Sequence, residues 1–375
     1  MNPLKIPIDT DFNLIFLQAT IGDSPPLWFF LDTGVDVPCV LDAGVAKDLG
    51  LPVGESSTQP QPGGDVVVAP IGDTTICVAG QPVWTVAPLA FDFTPFAVYA
   101  GRPLHGILGH QAIADYVIEL DYRAGMMTLY PPDDVPPSDT SVPLILGPTA
   151  VDAAAAIVAG TMTTLDGREL TSQFKLDTGG TGCVGLSHNF VRDNGLPPPG
   201  QPVLGQVGVA IGGTHEMFVF RIASFRLGDH VLHDMPISYD APDNLPDRPY
   251  AGTLGGEILS RFRVVLDYPH HRMGLTPYPD TIDDRFTYDD MGMLLTLTPG
   301  AESIEIQAVF EDSPAAAAGL RPGDHIHAID ERPVTDIGLA GVFRMTRTGR
   351  PANHALRIER DSRMETIDIA LRERL

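Results

Sequence analysis

The chain has 375 residues, of which 43% are hydrophobic and 19% charged, as in folded globular proteins and unlike disordered ones. The formal net charge of −24 disfavours nucleic acids and anionic membrane surfaces as partners, because both are bound through basic patches. No apolar run approaches the roughly 20 residues that span a membrane, and three cysteines are too few for a disulfide scaffold.

The first part of the chain predicts short strands separated by turns. Residues 14–21 are rich in β-forming side chains, residues 22–26 interrupt them, and residues 27–31 form a fully apolar run typical of a buried strand. The sequence Asp32-Thr33-Gly34 follows directly, so a carboxylate is expected where a core strand ends.

The next segments predict a helix, further strands and a boundary. Asp42 is placed to cap a short helix that Gly50 ends. Residues 56–72 are polar and rich in turn-forming residues, and strands are expected near residues 76–78, 83–86, 116–122 and 126–130. The polar, proline-rich segment 131–139 is expected to be a stiff connector between domains.

After this connector the pattern restarts, since Asp177-Thr178-Gly179 stands 145 positions after the first triplet. Other features recur at a spacing of 145 or 146 residues: Asp42 with Ser187, Gly50-Leu51-Pro52 with Gly195-Leu196-Pro197, Gly109 with Gly255, and Leu120-Asp121-Tyr122 with Leu266-Asp267-Tyr268. We conclude that a whole lobe is duplicated, and we call residues 1–140 the first repeat and residues 141–282 the second repeat. Ser187 is expected to cap a helix as Asp42 does.

Residues 289–375, the C-terminal module, follow a different pattern. Ser313 and Pro314 are typical of a helix start, and Gly319 is typical of a helix end. A strand at residues 326–329, a helical stretch at 339–346 and strands at 354–359 and 365–371 complete a small α+β module.

Two carboxylates held close together cannot both ionise easily, so they share a proton and titrate as a pair. The ionised carboxylate can take a proton from water while the protonated one donates to a carbonyl oxygen, which permits amide hydrolysis without a metal. The sequence therefore predicts Asp32 and Asp177 as a catalytic dyad. An aspartate before Thr-Gly can also simply cap a turn, and it is the duplicated context that favours catalysis here.

At these residues the chain resembles the bacterial retropepsin-like and pepsin-like aspartic proteases. Ile107-Leu108-Gly109 and Thr253-Leu254-Gly255 resemble the element that braces each catalytic triplet in that family. The resemblance covers about residues 10–280 and implies a mainly β, bilobal fold with a cleft between two duplicated lobes. Val35, Gly180 and Thr253 depart from the usual pattern, and no tyrosine between residues 50 and 90 matches a pepsin-type flap.

The resemblance also assigns the supporting residues of the site. Thr33, Gly34, Thr178 and Gly179 would hold the dyad, with the glycine N–H groups donating to the carboxylates and the threonines bonding across the lobes. Glycine-tipped flaps over the cleft are expected at Gly63 and Gly64 and at Gly212 and Gly213, although Gly-Gly pairs also mark ordinary hairpin turns.

The C-terminal module resembles the PDZ domains attached to many bacterial proteases, through residues 313–324. By that likeness, Met291, Gly292, Met293 and Leu294 would form the loop that receives a peptide C-terminus. A module that serves only as packing or as a lid is the alternative.

The function expected from the sequence is an aspartic endopeptidase that acts on protein or peptide substrates, with the PDZ-like module recruiting substrate or regulating access to the cleft. The alternative is a catalytically degenerate peptide-binding scaffold whose PDZ-like module mediates protein interaction. No cofactor or metal is expected, because the histidines at 105, 110, 270 and 271 lack the partner pattern of a zinc site. Both triplets lie in one chain, so a monomer is expected. The N-terminus lacks the features of a secretory signal, which indicates the cytoplasm, or the periplasm if a signal segment has been removed.

Overall fold

The computed structural model describes residues 3–149, 155–242 and 247–375, and they are mainly β-strand in several sheets. In the first repeat the strands are Leu4–Pro7 (β1), Ile15–Ile21 (β2), Leu27–Asp32 (β3), Cys39–Asp42 (β4), Ser57–Gln61 (β5), Gly64–Pro70 (β6), Thr74–Val78 (β7), Gln81–Val86 (β8), Leu89–Phe91 (β9), Gly106–Gly109 (β10), Val117–Asp121 (β11) and Met126–Tyr130 (β12). The helices are Ala43–Asp48 (α1), Thr94–Ala100 (α2) and His110–Ile113 (α3), and a 3-10 turn spans Asp11–Asn13.

In the second repeat the strands are Thr140–Pro143 (β13), Ile145–Gly147 (β14), Ala155–Thr163 (β15), Glu169–Leu176 (β16), Val184–Leu186 (β17), Leu204–Ala210 (β18), Gly213–Leu227 (β19), His230–Asp240 (β20), Gly252–Leu254 (β21), Phe262–Asp267 (β22) and Arg272–Pro277 (β23). The helices are His188–Asn194 (α4) and Gly256–Leu259 (α5).

Each repeat builds its own sheet around the strand that carries its aspartate. The strand orders are β5-β6-β9-β4-β10-β3-β2-β7-β8 in the first repeat and β14-β15-β16-β21-β17-β20-β19-β18 in the second. β3 pairs in parallel with β10, and β16 pairs in parallel with β21. β3 is buried along most of its length, which explains its continuous apolar sequence.

A third sheet, with the order β1-β12-β11-β22-β23-β13, joins the two repeats. Its central pairing is antiparallel between β11 and β22, with Val117 opposite Asp267 and Ile118 opposite Leu266. One buried apolar cluster also runs through both repeats. The two aspartate-bearing strands are thereby fixed relative to each other by backbone hydrogen bonds and by a shared core.

Of the two N-terminal helix caps expected in the repeats, one forms and the other does not. The Asp42 carboxylate accepts a hydrogen bond from the N–H of Val45 at the start of α1, and Gly50 after the helix has a left-handed φ of +64°. Ser187 lies at the start of α4 but does not cap it, so that expectation is wrong. Its buried hydroxyl instead donates to the carbonyl oxygens of Tyr250 and Ala251, 3.1 and 3.0 Å away.

The C-terminal module contains the strands Met293–Leu297 (β24), Ile304–Val309 (β25), His325–Ile329 (β26), Arg332–Pro333 (β27), Ala352–Arg360 (β28) and Arg363–Leu371 (β29) and the helices Pro314–Ala317 (α6) and Val334–Met345 (α7). Its sheet has the order β24-β25-β26-β28-β29, and it has its own buried apolar cluster. The Ser313 hydroxyl accepts from the N–H of Ala316, and Gly319 has a φ of +74°, as expected for the ends of α6.

Helix α7 begins at Val334, before the expected helical stretch. Gly338 interrupts it with a φ of +67°, so the regular helical pattern of the sequence starts only after that residue. Within the three described segments, no helix is long and apolar enough to cross a membrane.

Candidate active site

The two aspartates stand at equivalent ends of β3 and β16. Asp32 is paired with Gly109 at the end of β10, and the N–H of Asp177 donates to the carbonyl oxygen of Leu254 at the end of β21. A Cβ atom at Gly109 would clash with the carbonyl oxygen of Val37, and one at Gly255 would clash with that of Gly182. Both positions therefore need a glycine where the loop that follows the Asp-Thr-Gly triplet crosses them.

Thr33 and Thr178 are fully buried and bond to each other's loop. The N–H of each threonine donates to the hydroxyl oxygen of the other, at 3.0 Å in both directions. The Thr33 hydroxyl then donates to the carbonyl oxygen of Leu176 at 3.0 Å, and the Thr178 hydroxyl donates to that of Leu31 at 2.8 Å. Because each threonine both accepts and donates, the two loops are held in one fixed arrangement.

The carboxylates of Asp32 and Asp177 face each other. Each accepts a hydrogen bond from the glycine of its own triplet, at 2.8 Å from Gly34 and 3.0 Å from Gly179. A Cβ atom at Gly34 would lie 2.7 Å from Oδ1 of Asp177 and 3.0 Å from Oδ1 of Asp32. Only glycine fits beside the pair, and the two side chains lie within hydrogen-bonding reach of each other.

The surroundings raise the pKa of both carboxyl groups. For Asp32 the main cause is burial, followed by the charge of Asp177. For Asp177 burial again raises the pKa, and it is opposed by the charge of Lys175, by the hydrogen bond with Asp32 and by the N–H groups of Gly179 and Gly180. The pair can therefore hold one proton at a pH where ordinary aspartates are ionised.

Lys175 was not singled out from the sequence. It is 5% exposed, lies two residues before Asp177, and its charge lowers the pKa of both aspartates. Comparing the two repeats residue by residue would have revealed it, because Lys175 stands at the position that Phe30 occupies in the first repeat. A charged residue between Phe174 and Leu176, where the first repeat has only apolar residues, marks a difference between the halves of the site.

The four glycines expected in the flaps meet at two hairpin tips. Residues 56–72, expected to be turn-rich, contain the paired strands β5 and β6, which turn at Pro62 and Gly63 before Gly64 begins β6. The hairpin of β18 and β19 turns at Ile211 and Gly212, and Gly213 begins β19. The Gly212 N–H donates to the carbonyl oxygen of Pro62 at 3.2 Å.

A cavity of about 400 Å³ adjoins the loop that follows Asp177. Its lining combines Gly179, Gly180 and Thr181 with the β18–β19 hairpin, with aromatic and aliphatic residues of the first repeat, and with β24 and α7 of the C-terminal module. Met293 and Leu294 of the expected peptide-binding loop line it, while Met291 is buried and Gly292 has a φ of +83°. The contribution of the C-terminal module to this cavity was not predicted from the sequence.

The histidines considered for a metal have other surroundings. The Nδ1 atom of His105 accepts from the N–H of Trp28 at 2.9 Å, and His270 bonds to Asp267 at 2.7 Å. In the part of the chain that the structure describes, no group of three or more His, Cys, Asp or Glu side chains is arranged to hold a metal ion.

Comparison with known families gives two matches. A family model described as aspartyl protease matches residues 161–257, which include the second Asp-Thr-Gly triplet. A model described as the PDZ domain matches residues 289–371. No curated protein matches the chain.

Proposed function

Since the chain carries an aspartyl protease domain followed by a PDZ domain, we propose that it is an aspartic endopeptidase that hydrolyses peptide bonds in protein substrates. One observation carries the proposal: the carboxylates of Asp32 and Asp177 lie side by side, held by reciprocal hydrogen bonds between Thr33 and Thr178. A scaffold that only bound peptides would not need two buried carboxyl groups with raised pKa values.

In the proposed mechanism the two carboxyl groups divide acid and base roles. Asp177 takes a proton from water. The N–H groups of Gly179 and Gly180 and the charge of Lys175 favour its ionised form. Asp32, whose pKa is raised by burial and by Asp177, donates its proton to the carbonyl oxygen as the water oxygen attacks the carbonyl carbon. When the C–N bond breaks, protonated Asp177 gives its proton to the amine nitrogen, and a hydroxyl group of the tetrahedral intermediate returns a proton to Asp32, so the dyad again holds one proton.

The hairpins at Gly63–Gly64 and Gly212–Gly213 have the proposed role of flaps that cover an extended peptide in a cleft between the two repeats. Their tips contact each other directly, so a substrate enters after they separate. We place the lobes at residues 1–140 and 141–282 and the PDZ domain at residues 289–375. Because both triplets lie in one chain, the proposed active form is a monomer.

The proposal is tested with Asp32→Asn and Asp177→Asn on a peptide library at pH values from 4 to 8. Each substitution is expected to lower kcat by a factor of at least about 10³, because it removes either the acid or the base of the pair. Asp121→Asn is the matched control: Asp121 is a repeated aspartate, but it accepts hydrogen bonds from Ala124 and Tyr278 at a turn, away from the dyad. Mass spectrometry of the products measures cleavage.

If either dyad variant cleaved peptides at the wild-type rate, the assignment of the dyad would be refuted. Peptide binding by the wild type without any turnover would instead support the degenerate scaffold. Circular dichroism of each variant separates loss of activity from loss of folding.

A further inference from the structure

The cavity beside the dyad has walls from both the protease and the PDZ domain. It extends from Gly180 and Thr181, directly after the catalytic triplet, to Leu295 on β24 and Phe343 on α7. Its volume of about 400 Å³ falls within the range of ligand-binding pockets, and most of its lining is apolar. The PDZ domain therefore borders the space next to the reacting groups.

Two adjacent residues of the first repeat connect these walls. The ring of Phe12 packs edge-on against that of Phe343, with 5.1 Å between the centroids, and Phe12 contacts the apolar core of the PDZ domain. The side-chain amide of Asn13 donates to the carbonyl oxygen of Thr181 at 3.2 Å. The position of α7 is thus tied to the loop that carries Asp177.

The loop expected to receive a peptide C-terminus already binds a carboxylate of its own chain. The N–H of Met291 donates to Asp289 at 3.0 Å, and the N–H of Gly292 donates to both oxygens of Asp289, at 2.9 and 3.0 Å. Arg374, whose side chain is 2% exposed, pairs with the same carboxylate at 3.1 Å. An incoming carboxylate would have to displace Asp289 and would be repelled by its charge.

From these contacts we propose that the PDZ domain forms one wall of a substrate subsite, which takes an apolar side chain from an internal stretch of the cleaved polypeptide and does not recognise a free C-terminus. This inference rests on the proposed protease function, because only then is the bound polypeptide a substrate. It names Leu295 and Phe343 as residues that determine specificity from outside the protease domain.

The test uses the full-length chain and a library of decapeptides, each made with a free and with an amidated C-terminus. Leu295→Ala is compared with Leu297→Ala, because both leucines lie partly buried on β24 but only Leu295 lines the cavity. Leu295→Ala is expected to change the preferred side chain at one position of the cleavage profile and to lower kcat/KM about tenfold for peptides that carry the wild-type preference there. Leu297→Ala is expected to keep the wild-type profile, and free and amidated peptides are expected to be cleaved equally.

Equal profiles for the two leucine variants, or a tenfold preference for free C-termini, would overturn the inference. A binding measurement separates this failure from that of the protease proposal. Fluorescence polarisation measures binding of the same peptides, carrying a fluorescent label, to the full-length Asp32→Asn chain. Binding that depends on Leu295, together with absence of wild-type cleavage, would refute only the protease proposal. Cleavage that is insensitive to Leu295 would refute only the subsite, and absence of both binding and cleavage would refute both.

Discussion

At the scale of single residues, the two aspartates have similar backbone settings but different electrostatic ones. Asp32 ends β3 and Asp177 directly follows β16, and each accepts a hydrogen bond from the N–H of its own glycine. Their electrostatic settings differ because Lys175, which stands in place of Phe30, is the main cause that opposes burial at Asp177, and because Asp177 also accepts from the N–H of Gly180. The two carboxyl groups are thereby suited to unequal roles, as general acid–base chemistry requires.

The effect of Lys175 can be measured from the pH dependence of cleavage. Its positive charge lowers the pKa of both aspartates, so Lys175→Met raises both and leaves the singly protonated dyad present at higher pH. We expect both limbs of the kcat/KM profile to move upward by about one pH unit. His110, whose pKa is also lowered by Lys175, is expected to titrate at higher pH in the same variant.

Lys47→Met is the control for this measurement, because Lys47 is exposed on α1 and does not act on the dyad. An unshifted profile in Lys175→Met, with the fold intact by circular dichroism, would contradict the proposed electrostatic role. A shift toward lower pH would contradict its sign.

At the same scale, the sequence was sufficient to locate both triplets and the glycines beside them. These signals are local, because a carboxylate after an apolar strand and a glycine at a crowded turn are visible within a few residues. The hydroxyl of Ser187 shows the limit of local reasoning. Whether this hydroxyl caps α4 or donates to Tyr250 and Ala251 depends on the segment just before β21, more than 60 residues away in the chain.

At the scale of elements, the two flap hairpins differ in how well the sequence predicts them. The glycine tips are apparent from Gly63-Gly64 and Gly212-Gly213, but β5 has exposed polar residues that resemble a loop. Its strand conformation depends on pairing with β6 and on the place of β6 in the sheet beside β9. Secondary structure that depends on such tertiary partners is poorly predicted from composition.

The contact between the tips predicts that even a methyl group there will impair the enzyme. A Cβ atom at Gly212 would clash with the carbonyl oxygen of Gly64, so Gly212→Ala is expected to force the hairpins apart. We expect kcat/KM to fall about tenfold with little change in the free energy of unfolding, because the hairpin tips contribute little to the core.

Gly205→Ala is the matched control for the flap tips. Gly205 lies on β18 of the same hairpin, where a Cβ atom would meet only a ring carbon of Phe218 at 3.9 Å. Its kcat/KM is expected to remain within about twofold of the wild type, as for an uncrowded exposed position. Equal losses in the two variants would show that the tip contact has no special role in closure.

At the scale of the whole molecule, the sequence predicts the modules but not how they dock. The PDZ domain is held against the protease by contacts between residues far apart in the chain, such as Phe12 with Phe343 and Arg347 with Glu257, whose ionic atoms are 3.3 Å apart. Neither member of these pairs carries a local sequence signal for its partner. The cavity shared by the two domains could therefore be seen only in three dimensions.

A further docking contact centres on Arg221 of β19, and removing it is expected to weaken the attachment of the PDZ domain. The Arg221 side chain is 10% exposed, and it donates to the carbonyl oxygen of Phe286 at 3.2 Å and to Glu373, beyond β29, at 3.3 Å. Arg221→Met removes the donor to the carbonyl oxygen of Phe286 and one of the two arginine donors to Glu373, so we expect the free energy of unfolding to fall by about 2–3 kcal/mol. Arg285→Met is the control, because Arg285 pairs with the same Glu373 but is half exposed, and its loss is expected to cost less than about 1 kcal/mol. Urea denaturation at constant pH measures both values, and a smaller loss for Arg221→Met than for Arg285→Met would show that the buried arginine does not hold the two domains together.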